Sequence, residues 1–567
     1  MMSLLVLPSA LNVPQSNPAQ TLEFAPVLPE DDAPPPADAG NLETLGLGSS
    51  SNVRGDTLGA QGPGAAPPDA PLPPGLGGTP VSKRCVGNPP RQTEDPMAPP
   101  CVAHFEGDNG GATHEGVTGE EIRVVIVRDA SSGPSSRGME FDEYDTWHDL
   151  SEPPAPDDQQ RVRAFKAYVR HFNARYQTYG RTVHAWLRFT AAQNDAERTP
   201  ESRRAEAAQI SSRVRPFAVI NDTRTNGGAF AEAAAELGMM VFQGTDYATI
   251  GRSEAFYARY PGLSWSYQPS LERRAALFVT YVCEKVVGHA VSFSGDATDH
   301  GLPRVLGLLR NAAVGSAAQV IGEEVRTGLQ ACGAEIELDR TYDGSDSSQP
   351  VSNTAAFAQA GVTTILFATP SEYQHSHAAA AIGYYPEWVL AGDDTSDRTF
   401  QGRLYDQREW TNARNVSIYP SVTDLRSHPC AQAYREGDPE AAWFDVKNIG
   451  CPAAYASLRH LFTGIQVAGP NLTPRSMEAG FRAIPAIPSS DPSIPACYYL
   501  PGDYTCVKDA QAQWWDPNGQ PRDHGGTGCW RMMESGHRYL AGQWPPGDVE
   551  AQRTPDDPCN WQGADVT

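Results

Sequence analysis

Two short polar stretches hold the side chains of this sequence best suited to fixing a small molecule. Thr223, Arg224, Thr225, Asn226 and Gly227 make the first, and Gly244, Thr245, Asp246 and Tyr247 make the second. Hydroxyls, an amide, a carboxylate and glycine-exposed N–H groups supply the few convergent polar contacts that orient a bound solute. Covalent chemistry needs a nucleophile beside a base, and no such pair stands at motif spacing. The sequence has no Gly-x-Ser-x-Gly elbow, HExxH, P-loop or EF-hand pattern. Asp516-Pro517-Asn518-Gly519 places its glycine too early for a calcium loop. His375 and His377 form an HxH, whose rings point to different faces of a helix, so they do not read as a metal pair. Catalysis has no candidate, and neither a metal nor a cofactor is expected.

The elements around the two stretches say how they would be held. Residues 217–220 are a short apolar run suited to a buried strand, and 221–228 read as a polar turn with two glycines. Residues 230–237 are alanine-rich and helical, Gly238 ends the helix, and 239–242 form a second buried strand. A right-handed crossover makes these strands parallel, so both polar loops emerge at one carboxyl edge, where open α/β sheets bind ligands. Thr223, Asn226 and Thr245 could equally be turn residues that satisfy their own backbone; the convergence of two loops favours binding.

The same alternation extends on both sides. The run IRVVIV over 122–127 reads as a fully buried strand leading to a polar loop with Asp129. Val162, Phe165, Val169, Phe172 and Tyr176 recur at helical spacing as one apolar stripe, which is core and not a site. Residues 183–189 alternate as a strand, and Thr199-Pro200 opens the next helix. After Pro269 the pattern repeats, with strands at 305–309, 335–338, 364–368 and 388–390 and helices between them. Two successive doubly wound lobes imply a cleft. Trp514 and Trp515 read as a cover for apolar surface rather than a sugar platform.

A formal charge of −24 over 567 residues, with no basic run, argues against nucleic acid as the partner. No apolar run approaches a membrane span. The start, MMSLLVLPSALNVP, reads as a truncated or atypical export signal. Export is inferred from cysteine: Cys85, Cys101, Cys283, Cys332, Cys430, Cys451, Cys497, Cys506, Cys529 and Cys559 form an even set with no CxxC pair, which points to disulfides in an oxidising compartment. Sequential neighbours are the expected partners, with the pairing of the last four left open. Residues 1–115, rich in Pro, Gly, Ala and Asp, cannot bury enough apolar surface to order themselves and read as a disordered tether. Its Arg54-Gly55-Asp56 triplet is read as chance.

In order along the chain, GVTGEEI at 116–122, the loop, helix and strand of 217–247, Gly333-Ala334-Glu335, GYYPEW at 383–388 and Leu472-Thr473-Pro474 resemble the type I periplasmic binding proteins, specifically the substrate-binding proteins of branched-chain amino-acid-type ABC transporters. The resemblance covers roughly 116–485, and 486–567 look like the tail of a high-molecular-weight branch. It implies two Rossmann-like lobes joined by crossover strands around an interlobe cleft. Lobe 1 would be 119–268 plus 416–485, and lobe 2 would be 269–415 plus 486–567 with a disulfide-rich tail. Binding would be hinge closure on a small-molecule solute, delivered to an ABC permease by a protein that is extracellular, periplasmic or at the cell surface. The ligand carboxylate would meet the loops at Thr223, Thr225, Asn226 and Gly227 and at Gly244, Thr245, Asp246 and Tyr247. Here the sequence departs from the family's Ser-rich pattern: Asp246 would repel a carboxylate, and Arg224 would offset part of that. On lobe 2 the matching positions are Ser371, Glu372, Asp393 and Asp394, whose carboxylates would suit a cationic or amine-bearing solute. A surface scaffold or sensor that reuses the fold without transport is the alternative.

Overall fold

The computed structural model describes residues 85–86, 90–92, 95–130, 143–244, 252–313, 316–344, 346–368, 373–393, 396–442, 451–486, 494–521, 526–554 and 556–560. A short hairpin of Cys85–Val86 (β1) and Arg91–Gln92 (β2) comes first. The first large sheet comprises Glu121–Arg128 (β3), Trp147–Asp149 (β4), Thr182–Phe189 (β5), Ala218–Asp222 (β6), Met240–Gln243 (β7) and Ser264–Ser266 (β8). Its order is β4-β5-β3-β6-β7-β8, parallel except for the edge strand β4. The helices Gln160–Arg175 (α1), Pro200–Val214 (α2), Gly227–Glu236 (α3) and Glu254–Arg259 (α4) connect it.

The unbroken apolar run in β3 is explained by cover on both faces. Val124 and Ile126 enter one core together with the α1 stripe, while Val125 and Val127 enter another with α2 and α3, as the two-residue period of a strand requires. Thr199 caps α2 by accepting the Ser202 N–H at 3.2 Å, with Pro200 in the first turn.

The second sheet contains Leu306–Asn311 (β9), Ile336–Tyr342 (β10), Thr364–Phe367 (β11), Glu387–Ala391 (β12) and Ala413–Ser417 (β13), all parallel, in the order β10-β9-β11-β12-β13. Its helices are Leu271–Lys285 (α5), Ala317–Ala331 (α6), Gln349–Gln359 (α7), Gln374–Ala381 (α8), Thr399–Gly402 (α9) and Gln407–Trp410 (α10). Pro429–Gly437 (α11), Cys451–Ala468 (α12) and Pro474–Ala483 (α13) return to the first sheet, where Tyr434, Leu458, Phe462 and Phe481 join the core under β3 and β5. The chain then comes back to the second sheet as Asp509–Asp516 (β14), Cys529–Met532 (β15) and Arg538–Leu540 (β16), antiparallel additions beyond β13. The polypeptide thus passes between the sheets three times, near 267–270, 418–428 and 508.

Three boundaries differ from the sequence reading. Asn221 and Asp222 belong to β6, and α3 starts at Gly227, so the polar turn is shorter than 221–228. Folded structure begins before residue 116: Ala98, Cys101 and Val102 are buried, and Asp95 is held by Arg459 at 3.2 Å and by the Tyr455 hydroxyl at 2.7 Å. A buried ion pair and the Cys85–Cys101 disulfide order a stretch whose composition alone would not. Tyr499, Tyr504 and Cys506 pack in the first core and not in the second, because Tyr499 and Tyr504 stack edge-on against Trp265. The remainder of the expected tether, residues 1–84, lies outside the described residues. The other disulfides join Cys283–Cys332, Cys430–Cys451, Cys497–Cys506 and Cys529–Cys559. No helix among the described residues is long and apolar enough to cross a membrane.

Candidate functional site

Both parallel sheets run second-first-third-fourth-fifth in strand order, which puts a topological switch between β3 and β6 in one and between β9 and β11 in the other. At such a switch the loops after neighbouring strands diverge and leave a crevice at the carboxyl edge. In the first sheet Asp129 follows β3 there, opposite Asp222, Thr223 and Arg224 at the end of β6.

Asp129 is the organising group of that edge. Arg203 of α2 donates to it through both Nη1 and Nη2 at 2.7 Å, the Thr190 hydroxyl at 2.8 Å and the Arg224 N–H at 2.8 Å. Burial opposes its ionisation, but the bonds and charge of Arg203, the Arg224 N–H and Thr190 together hold its pKa below the ordinary carboxylate value. Beside it, Arg128 and Asp222 form a second buried pair.

The sequence-selected residues are arranged around these ions. Thr223 is buried and its hydroxyl donates to Asn221 Oδ1 at 2.7 Å. Thr225 donates its hydroxyl to Asp195 at 2.7 Å, and Asn226, in the left-handed region at φ 56°, donates its amide to the Arg198 carbonyl at 2.7 Å. Asn221 donates to the Gly227 carbonyl at 2.9 Å and to Gln243 Oε1 at 3.3 Å, and Gln243 donates to Ser264 at 3.3 Å, a buried polar chain across the ends of β6, β7 and β8. Gly244 has no room for a side chain, because a Cβ there would lie 2.2 Å from Asp222 Oδ1. Thr245, Asp246 and Tyr247 lie outside the described residues.

Arg252 is a residue the sequence reading did not select. Its guanidinium lies over the start of α3, 3.7 Å from where a methyl on Gly228 would be. Burial lowers its pKa, with Tyr257 and Glu232 opposing at longer range, and its Nε is buried with no hydrogen-bond partner among the described residues. A cation beside helix N–H groups, with no carboxylate bonded to it among the described residues, is an arrangement that accepts an anionic group.

On the second sheet Asp393 follows β12, with Asp393 N–H donating to Ser396 Oγ at 3.0 Å and Ser396 N–H donating back to Asp393 Oδ1 at 2.6 Å. Behind it Asp397 is fully buried and accepts from Asn415 and Ser417 of β13. Burial pushes Asp397 up to about 7 against those two hydrogen bonds, with Asp393 adding to the rise. Arg274 of α5 donates to the Gly392 carbonyl at 3.0 Å. Ser371, Glu372 and Asp394 lie outside the described residues. Asp129, Arg252 and Asp397 could be found from sequence only as polar residues near strand ends; nothing local names their partners. Among the described residues no group of three acidic, His or Cys side chains is placed to hold a metal ion.

No protein-family model matches the sequence, and no curated protein matches it. Solved structures do. The leucine-, isoleucine-, valine-, threonine- and alanine-binding protein of Brucella ovis, in its closed conformation, superposes with a TM-score of 0.50 at 10% identity over 77% of this chain and 99% of its own. A branched chain amino acid ABC transporter periplasmic ligand-binding protein from Burkholderia xenovorans has a TM-score of 0.47 at 11% identity, over 74% and 96%. An ABC transporter solute binding protein from R. palustris, in complex with 4-hydroxybenzoate, has a TM-score of 0.46 at 10% identity, over 75% and 98%. With its two sheets of mostly parallel strands and its three crossings, the polypeptide has the type I periplasmic binding fold.

Proposed function

We propose that this protein is an exported, non-enzymatic solute-binding protein that closes about its crossing segments on a small polar solute and delivers it to an ABC permease. The observation that carries the reading is the pair of doubly wound sheets, joined by three crossings, each with charged or polar groups at its carboxyl edge. Arg252 at the first edge would take an anionic group of the solute, and Asp393 at the second an amine. Thr223, Thr225, Asn226, Gly227, Gly244, Thr245, Asp246 and Tyr247, with Ser371, Glu372 and Asp394, would complete the pocket on closure. The five disulfides support an extracellular, periplasmic or cell-surface location. Lobe 1 is proposed as 119–268 with 416–485, and lobe 2 as 269–415 with the C-terminal part.

A second reading, a surface scaffold or sensor, is favoured by one observation: the Arg224 N–H already holds an internal carboxylate, Asp129, and Thr223, Thr225 and Asn226 all have partners within the same lobe.

A thermal-shift screen of amino acids, amides, polyamines and sugars separates the two. Under the first reading at least one solute raises Tm, since a ligand bound only by the native state stabilises it, and Arg252→Gln and Asp393→Asn each diminish that rise. A library that shifts nothing, in the parent or in either variant, would remove the transport reading and leave the scaffold.

A further inference from the structure

Apart from the polar loops after β3, β6 and β12, a crevice opens between the segment around Arg91–Ala98, helix α12 and the Cys497–Cys506 loop. Arg91, Arg459 and His460 supply its polar wall, and Tyr267, Tyr499 and Ile484 are among its apolar walls. It shares no residue with the site described above.

Among the described residues its charges do not balance. Arg459 gives Nη1 to the two oxygens of Asp95 at 3.2 and 3.3 Å, and Asp95 also accepts the Tyr455 hydroxyl. Arg91 donates only to backbone carbonyls, of Ala98 at 2.7 Å and Pro485 at 3.1 Å, and among the described residues no carboxylate contacts it. Burial lowers the Arg91 guanidinium to about 10, with Asp95 opposing, which leaves it charged at neutral pH. His460 is the third polar group. Its Nε2 lies 2.6 Å from the Tyr499 hydroxyl, while its Nδ1 is buried without a partner among the described residues. Burial, and then the charge of Arg459, depress its pKa to about 3, so the ring is neutral. When the Tyr499 hydroxyl donates to Nε2, the ring proton sits on Nδ1 and is left as an unused donor.

We infer that this crevice binds a small carboxylate anion: of its two guanidiniums only Arg459 is bonded to a carboxylate among the described residues, the His460 Nδ1 has no partner among them, and the remaining walls are aromatic and aliphatic. The anion would supply the missing counter-charge to Arg91 and accept from His460, with its organic part against Tyr267 and Ile484. Desolvated charge-assisted hydrogen bonds of this kind are the strong ones, and a buried donor without an acceptor is costly. In a chain of net charge −24, such a pocket would also select against the bulk surface for anions.

The test uses the full chain and titration calorimetry with sodium acetate, propionate and benzoate at constant ionic strength, with sodium chloride and propionamide as controls. Saturable binding of at least one carboxylate is expected, with none for propionamide. Arg91→Gln should weaken it by about 10-fold or more, while Arg252→Gln at the sheet-edge site leaves it unchanged. Should Arg91→Gln not fold, Thr463→Met, which adds bulk on the crevice wall of α12, should abolish binding instead. The inference is overturned if no carboxylate binds at millimolar concentration, if chloride binds as well as the carboxylates, or if binding survives Arg91→Gln and Thr463→Met but is lost in Arg252→Gln. The last result would place the anion at the proposed solute site.

Discussion

Asp129 accepts hydrogen bonds from Arg203 on α2, from Thr190 after β5 and from the backbone of Arg224, so one carboxylate fixes the loops after three strands. Breaking such a buried pair from one side leaves an uncompensated charge, whereas an isosteric neutral group leaves only weaker bonds. Arg203→Met should therefore destabilise the protein by about 3–5 kcal/mol in urea unfolding, and Asp129→Asn by clearly less. Glu409 is a simpler case, with one side-chain donor among the described residues, the Trp388 indole at 3.2 Å. Burial raises it from 4.5 to about 8, so between those values the folded state binds a proton the unfolded state does not. Its contribution is complete below the unfolded value and is lost as the pH rises through about 8. Glu409→Gln should flatten the fall of stability over that window and should unfold at higher denaturant than the parent at the alkaline end. At this scale the sequence announced where polar loops would lie but not what they would hold. Asp129 meets Arg203 across 74 positions, and Asp397 meets Asn415 and Ser417 across 18 and 20, separations at which side-chain type carries no pairing information.

Elements show the same division. β3 was readable because a strand covered on both faces is apolar throughout, and α1 because its stripe keeps helical spacing. β13 and β14 were not, since Ala-Arg-Asn-Val-Ser and Asp-Ala-Gln-Ala-Gln look like exposed loop. Their polar side chains are nevertheless buried and partnered: Arg414 donates to Glu550 at 2.6 Å and Gln511 to the Tyr419 carbonyl at 3.1 Å. Burial of paired polar groups erases the two-residue period by which strands are recognised. Helix contacts give the prediction proper to this scale. A Cβ on Gly437 of α11 would lie 1.9 Å from the Ala167 carbonyl oxygen of α1, a backbone atom that cannot step aside cheaply. Gly437→Ala should cost about 1–3 kcal/mol through overpacking, lowering Tm despite alanine's better helix propensity. Thr473→Ala, which removes the capping box with Ser476 at the start of α13, should cost about 1 kcal/mol.

For the whole molecule, the disulfides tie neighbours and not lobes: Cys283–Cys332 joins α5 to α6, and Cys430–Cys451 joins α11 to α12. Replacing Cys283 and Cys332 by serine together should cost about 2–4 kcal/mol in the second lobe without altering the crossing segments, measured by denaturation of the folded variant. The crossings are fastened by another residue. Arg538 of β16 donates to the carbonyls of Tyr419 and Ile418 at 2.6 and 2.9 Å and to both the side chain and the carbonyl of Asp509, near 2.9 Å each. One guanidinium contributed by β16 thus holds the beginning of the second crossing and the end of the third.

The late position of β14 in the chain also sets a timetable. A chain emerging from ribosome or translocon presents its amino end first, yet the side of β13 away from β12 is covered only when residues 509–516 arrive, and the first sheet waits for α12 and α13 to cover one of its faces. Until then a strand edge and an apolar sheet face stand open to other chains. Nascent chains halted before residue 509 should accordingly associate with chaperones or with one another, while the completed chain should not. The second sheet can close over β13 only after residues 509–516 have been made.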